Sequence, residues 1–248
     1  MVPRVLRGLA LAAAMVAMAT VGRSAPAGER GPTVVELFTS QGCNSCPPAD
    51  DLLAELAERR DVLALSFHVD YWDYIGWKDP YASPSHTQRQ RAYARQFGLG
   101  YVDTPQMVID GAVQVMGSDR DKVLETIGGA ADRPSVPLEV VPADDGRMQI
   151  SLPHRPGSED ATVWFVVFDR QHVTEVKRGE NRGRTLRNAN VVRGFQRIAI
   201  WRGEAMEVPV AINDLSPEGG DDCAVLLQSQ RNGRIIGAAK AALTMGGK

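Results

Sequence analysis

Cysteine and histidine are scarce in this chain: its 248 residues include three of the first and four of the second. Three cysteines cannot staple a domain of this size, so a disulfide scaffold is excluded and a hydrophobic core must hold the fold. No second Cys-x-x-Cys pair exists, so the four-thiolate arrangement of a structural zinc site is missing as well. An excess of positive charge is also absent. Lysine and arginine number 28 against 30 acids, a formal net charge of −2, whereas a general nucleic-acid binder is clearly basic. Past residue 21 no apolar run is long enough to read as a membrane-spanning helix. Aromatic residues make up only 6%, which gives weight to the one place where they crowd together, between Tyr71 and Trp77.

The N-terminus places Arg4 and Arg7 before an apolar run from Leu9 to Val21, followed by Ala25-Pro26-Ala27. This is the pattern of a secretory signal cut after Ala27. It predicts a periplasmic or secreted protein, with no stable membrane anchor once the signal (residues 1–27) is gone. Disulfides persist in such compartments, so the redox state of a close cysteine pair matters there.

Hydrophobic patterning predicts strands at Thr33–Thr39 and Val62–Phe67 around a helix from Cys43 to Arg60. A helix follows at Ser85–Phe97. A strand at Gln106–Ile109 turns at Asp110-Gly111 into Ala112–Met116, and Asp119–Ile127 closes the segment as a helix. This order matches the thioredoxin-like plan over residues 32–130. Beyond Pro134 and Pro137, about seven short strands separated by Gly, Pro and Asp clusters suggest a small β-sandwich over 135–244. The expected fold is thus α/β, a thioredoxin-like N-terminal domain followed by a small all-β sandwich-like C-terminal domain.

The chemistry concentrates at Cys43-Asn44-Ser45-Cys46. Two cysteines three apart at a helix start lie within disulfide reach. Helix-terminal N–H groups and the macrodipole favour a thiolate at Cys43, the expected exposed attacker, with Cys46 as the resolving thiol. In the thioredoxin-like plan a cis proline ahead of the third strand faces the cysteines. Pro105 takes that place, with Thr104 offering backbone bonds to an extended substrate. Glu36, inside an apolar strand, is the candidate buried acid for proton transfer. Tyr71, Trp72 and Trp77, with Asp70, leave the carboxyl end of the second strand, where ligands of open α/β sheets bind. They are candidates for lining a substrate groove.

Four blocks are familiar in sequence: Val35–Asp50 (VELFTSQGCNSCPPAD), His68–Asp79 (HVDYWDYIGWKD), Thr104–Gly111 (TPQMVIDG) and Arg178–Leu186 (RGENRGRTL). They resemble the exported family catalogued as domain of unknown function 1223. The resemblance covers nearly the whole mature chain and implies a thioredoxin-like architecture and export, without fixing an activity. The Trp-Cys-Gly-Pro-Cys signature of true thioredoxins is absent.

The reading that follows is an exported thiol–disulfide oxidoreductase needing no cofactor, acting on protein or peptide thiols and disulfides and recharged by an unidentified redox partner. Two alternatives stay open. One is a copper or zinc carrier using both cysteines with Met107 or a histidine. The other is an interaction module whose disulfide only staples a turn. The basic run Lys177, Arg178, Arg182, Arg184, Arg187 and Arg193 is expected on a solvated loop, and Cys223 as a buried unpaired thiol.

Overall fold

A computed structural model of the protein describes residues 31–143, 147–212 and 219–243; the predicted signal segment lies outside them. Its elements run β1 (Thr33–Thr39), α1 (Pro47–Ala57), β2 (Val62–His68), α2 (Pro84–Gln96), β3 (Gln106–Ile109), β4 (Val113–Met116) and α3 (Arg120–Ala130). Then come β5 (Glu139–Pro142), β6 (Met148–Leu152), β7 (Ala161–Glu175), β8 (Thr185–Trp201), β9 (Met206–Val210), β10 (Asp222–Ser229) and β11 (Ile235–Ala242).

The expected pairing of a thioredoxin-like α/β domain with a separate small sandwich is not what the chain adopts. The fold is mostly β. One mixed eight-stranded sheet of order β11-β10-β7-β8-β2-β1-β3-β4 runs through both halves, and a three-stranded sheet, β5-β6-β9, lies beside it. The join is at β2 and β8, which run parallel with Ser66 opposite Val191. Every residue of β2 is buried, so the strand has no solvent-facing edge. The Asn190 side chain donates to Ala64 O across this seam at 2.8 Å.

Sequence patterning misses the join because β7 and β8 are 15 and 17 residues long, more than twice the apolar runs that mark them. Their extensions through Arg170-Gln171-His172 and Arg187-Asn188 are polar, so hydrophobic patterning ends too early. The ladder Asp169↔Val191 to Glu175↔Thr185 forms there all the same. Arg187 and Arg193, expected on a loop, sit in β8.

The sheet has two covered faces. In β1, Val35 and Leu37 pack with α1 and α3 residues such as Leu53, Leu56 and Val123. Val34 and Phe38 face the other way, with Phe67, Tyr93, Val166 and Leu226. A third cluster, with Ile150, Phe165, Trp201 and Val225, fills the space under the three-stranded sheet. The Asp110-Gly111 turn forms as expected. Both residues have positive φ, the conformation of a tight hairpin turn, and Asp110 Oδ1 accepts from Val34 N at 2.8 Å.

Candidate functional site

β1 ends at Thr39, and Ser40-Gln41-Gly42 turns the chain. Cys43 N donates to Ser40 O at 3.1 Å, and Cys46 N to Cys43 O at 3.3 Å. Cys43 and Cys46 form a disulfide with Cα atoms 5.5 Å apart. Two expectations need correcting. The helix opens at Pro47, with Cys46 as its N-cap, not at Cys43. Neither proline carries an N–H to donate, so Pro47 and Pro48 fit only in the first turn, where backbone donors have no intrahelical partner. They also remove two first-turn donors, and the next two, from Ala49 and Asp50, go to Cys46 O. The macrodipole remains for a thiolate, but not a ring of free N–H groups. Second, Cys43 is not an exposed attacker: both cysteines are fully buried, while Asn44 and Ser45 between them are exposed.

What surrounds Cys43 is specific. The Thr104–Pro105 bond is cis. Cys43 Sγ lies 3.7 Å from Thr104 O and 3.3 Å from Ser45 Oγ, so Ser45 has a hydroxyl placed for a reduced sulfur. Trp72 Nε1 donates to Thr104 Oγ1 at 2.8 Å. A side chain at Gly42 would meet Trp72 and Ile75 at 3.1 and 3.3 Å, so the aromatic loop packs directly on the cysteine turn. Trp77 Nε1 donates to Gln41 Oε1 at 3.2 Å. Tyr71 donates to Gln90, its phenol also meets the Thr104 side chain, and burial pushes it up to about 12. Asp70 is held by Thr87 of α2. The loop thus brings Trp72 and Trp77 to the turn and Tyr71 to Thr104 beside it, and not Asp70.

Glu36 is not at the cysteines. It shares the face of Val34 and Phe38, opposite α1, and pairs with Arg89 of α2 at 2.6 Å. A different acid occupies the cysteine side. Asp50 of α1, one turn beyond Cys46, is 4% exposed and accepts from Thr39 Oγ1 at 2.9 Å. Burial pushes its carboxyl up to about 7, against the pull of His68 and the Thr39 bond. His68 sits opposite Thr39 in the β1–β2 ladder, and its Nδ1 meets Asp79 Oδ2 at 2.7 Å. Burial draws the imidazole down, but the Asp79 carboxylate outweighs it and the net shift is upward; Asp79 is held below the usual carboxylate range by His68 and by N–H donors.

Asp79 also accepts from Gln41 N at 2.8 Å. Asn181, from the β7–β8 connection, donates to both Gln41 O and Cys43 O at 2.9 and 2.8 Å. Gln41 Nε2 donates to Asn188 Oδ1 of β8 at 3.0 Å. The cysteine turn is therefore clamped by residues from three distant segments.

Sequence reasoning missed Asp50, Asp79, Asn181 and Asn188 as site residues. The first three lie within the sequence blocks quoted above, which is the signal that could have found them; Asn188 lies outside. Of the side chains a soft metal could recruit, Met107 is buried in the core against α1, and among the histidines burial lowers the His86 imidazole to about 4. Among the described residues no three His, Cys, Asp or Glu side chains converge to hold a metal ion. Cys223 is free and buried in β10, and burial pushes its thiol up to about 12.

The pKa shifts fix a stability profile. Asp50 binds its proton more tightly folded than unfolded, so it removes stability as pH rises from about 4 to about 7. His68 is raised, so its contribution is complete below its unfolded pKa and is lost as pH climbs through the folded value. Asp79 is lowered, and its contribution is lost in acid. The urea midpoint should peak in mildly acidic solution. Asp50→Asn should raise that midpoint at pH 8 relative to the unmodified protein and leave it unchanged or lower at pH 4. Equal shifts at both pH values would show that Asp50 titrates normally.

A cysteine pair in a strand-to-helix turn, backed by a cis proline and a buried acid–imidazole network on a mixed β-sheet, defines a class of protein with a guarded disulfide. Residues 34–228 match the family described as "Protein of unknown function (DUF1223)", and the chain belongs to that family. It is similar over 90% of its length to the crystal structure of a protein from Agrobacterium tumefaciens, with 31% identity, 99% of that chain covered and a TM-score of 0.75. HBP35 of Porphyromonas gingivalis shares the fold at 13% identity and a TM-score of 0.53, over 89% of this chain and 79% of that one. None of the curated proteins matches the chain.

Proposed function

We propose that the protein is an exported thiol–disulfide oxidoreductase acting on polypeptide thiols and disulfides through Cys43 and Cys46. The observation that carries this reading is the placing of the Cys43–Cys46 bond, against Thr104 O ahead of the cis proline, with the buried carboxyl of Asp50 one helical turn beyond Cys46; burial pushes that carboxyl up to about 7. A proton store of that kind serves a sulfur that must be thiol and thiolate in turn.

From the disulfide state the exchange balances as follows. A substrate thiolate attacks Cys43 Sγ, the Cys43–Cys46 bond breaks, and Cys46 leaves as a thiolate that takes the Asp50 proton. A second substrate thiol, deprotonated to the carboxylate of Asp50, attacks the substrate sulfur of the mixed disulfide. Cys43 leaves as a thiolate, placed beside the Ser45 hydroxyl. The substrate loses two electrons and gains a disulfide, and the protein gains the two electrons as a dithiol. Run backwards, the same steps reduce a substrate. Because both sulfurs start buried, the turn that carries them must open for attack to occur.

A second reading rests on that burial: the disulfide only staples the turn. Its size argues against this. The bond joins residues with a sequence separation of three, and closing so short a ring contributes only about 2 kcal/mol in the chain-entropy account. Cys46→Ser protein incubated with a peptide carrying a disulfide decides between the two. Exchange predicts a stable mixed disulfide at Cys43, found by mass spectrometry. A bare staple predicts no adduct, and in the unmodified protein a bond that resists dithiothreitol until the fold is melted.

A further inference from the structure

The β7–β8 connection carries Lys177, Arg178, Arg182 and Arg184 against a single acid, Glu180, in a chain of net charge −2. Glu180 is turned to the cysteine turn, where its Oε2 accepts from Asn44 N at 3.3 Å. Arg184 Nη1 donates to Asn181 Oδ1. Among the described residues Lys177, Arg178 and Arg182 form no ion pair, and all three are exposed. The tip does not swing freely. Asn181 is fully buried and bonded to Gln41 O and Cys43 O, and Gly179, in the left-handed region, lies so close to Trp77 that a Cβ would meet it at 3.2 Å. These contacts hold the cations at the rim of the disulfide. Together with Ile75 and Glu180 they enclose a depression of about 600 Å³.

Resting on the exchange reading above, we propose that this depression docks acidic residues flanking the reactive cysteine of a substrate polypeptide. Unpaired guanidinium and ammonium groups seek carboxylates, and Arg178 and Arg182 can each take one in a forked bond. A residue advances an extended chain by about 3.3–3.6 Å, so carboxylates a few positions from the attacking sulfur reach the tip. Ile75 supplies an apolar floor for the stems between them. The charge acts on selection and encounter, while Cys43 and Cys46 perform the exchange.

Three dithiol peptides that differ only in flanking residues (acidic, neutral or lysine-rich) test this with the full oxidised protein. The acidic peptide should show a kcat/KM about tenfold above the lysine-rich one at low salt, with the gap closing near about 0.5 M salt. The double variant Arg178→Glu, Arg182→Glu should reverse the order. Equal rates for all three peptides overturn the docking and leave the exchange standing; no turnover of any peptide overturns the exchange itself. A fluorescent, cysteine-free acidic peptide gives a reading that needs no turnover. Salt-sensitive binding lost in the double variant supports the docking even then, and absence of binding overturns it.

Discussion

Replacing Cys43 by serine should cut disulfide exchange by at least about a thousandfold, to the uncatalysed background, as removal of an enzyme's nucleophile does. A thiolate is the species that attacks and that accepts attack in exchange, and an alcohol cannot stand in for it near neutral pH. The protein should nevertheless fold. The lost ring is worth only about 2 kcal/mol, and the turn keeps its backbone bonds to Ser40, Asn181 and Asp79. A urea melt beside a peptide-oxidation assay checks both halves. Loss of rate with an intact melt is the expected pair. A large drop in stability with no exchange activity in the unmodified protein would assign the disulfide to structure instead.

The largest effect on stability should come from Arg89→Met. Arg89 is enclosed by Phe67, Tyr93, Trp164 and Phe195, with its guanidinium carbon 4.4–5.6 Å from their ring centres. It pairs with the fully buried Glu36, which also accepts from the Tyr93 hydroxyl. Removing one partner of a buried pair leaves the other charge uncompensated, at a cost of about 3–5 kcal/mol. Changing both together, Glu36→Leu with Arg89→Met, removes the stranded carboxylate and should recover most of that loss. The cycle of single and double variants, measured by urea unfolding, reads the coupling directly. The folded double variant should also exchange disulfides at nearly the original rate, because the sheet stands between Glu36 and the cysteines. A collapse of its rate would restore Glu36 as the proton acid in place of Asp50.

Which acid sits beneath the cysteines shows how far one strand pattern can be read. Alternation places Glu36 with Val34 and Phe38, and that is where it lies. Alternation does not say which face α1 will cover. Leu37 and Val35 meet α1, so the acid on the cysteine side comes from the helix itself. Asp50 reads in sequence as an ordinary first-turn carboxylate. Only the closure of β1, β2 and α1 around it lifts its pKa to about 7.

The sequence by itself determined the local chemistry: two cysteines three apart, the prolines behind them, the Thr104-Pro105 step, the Asp110-Gly111 turn and the alternation that buries β1. These features live within a few residues of one another, where backbone preference and periodicity speak directly. The tertiary structure alone decided that β8 would close the edge of β2, that Asn181 would grip Cys43 O from 138 residues away, and that both sulfurs would be covered. Those outcomes turn on polar strand ends finding backbone partners across the chain. No apolar pattern marks such pairing, because its driving force is the need of buried N–H and C=O groups to be satisfied.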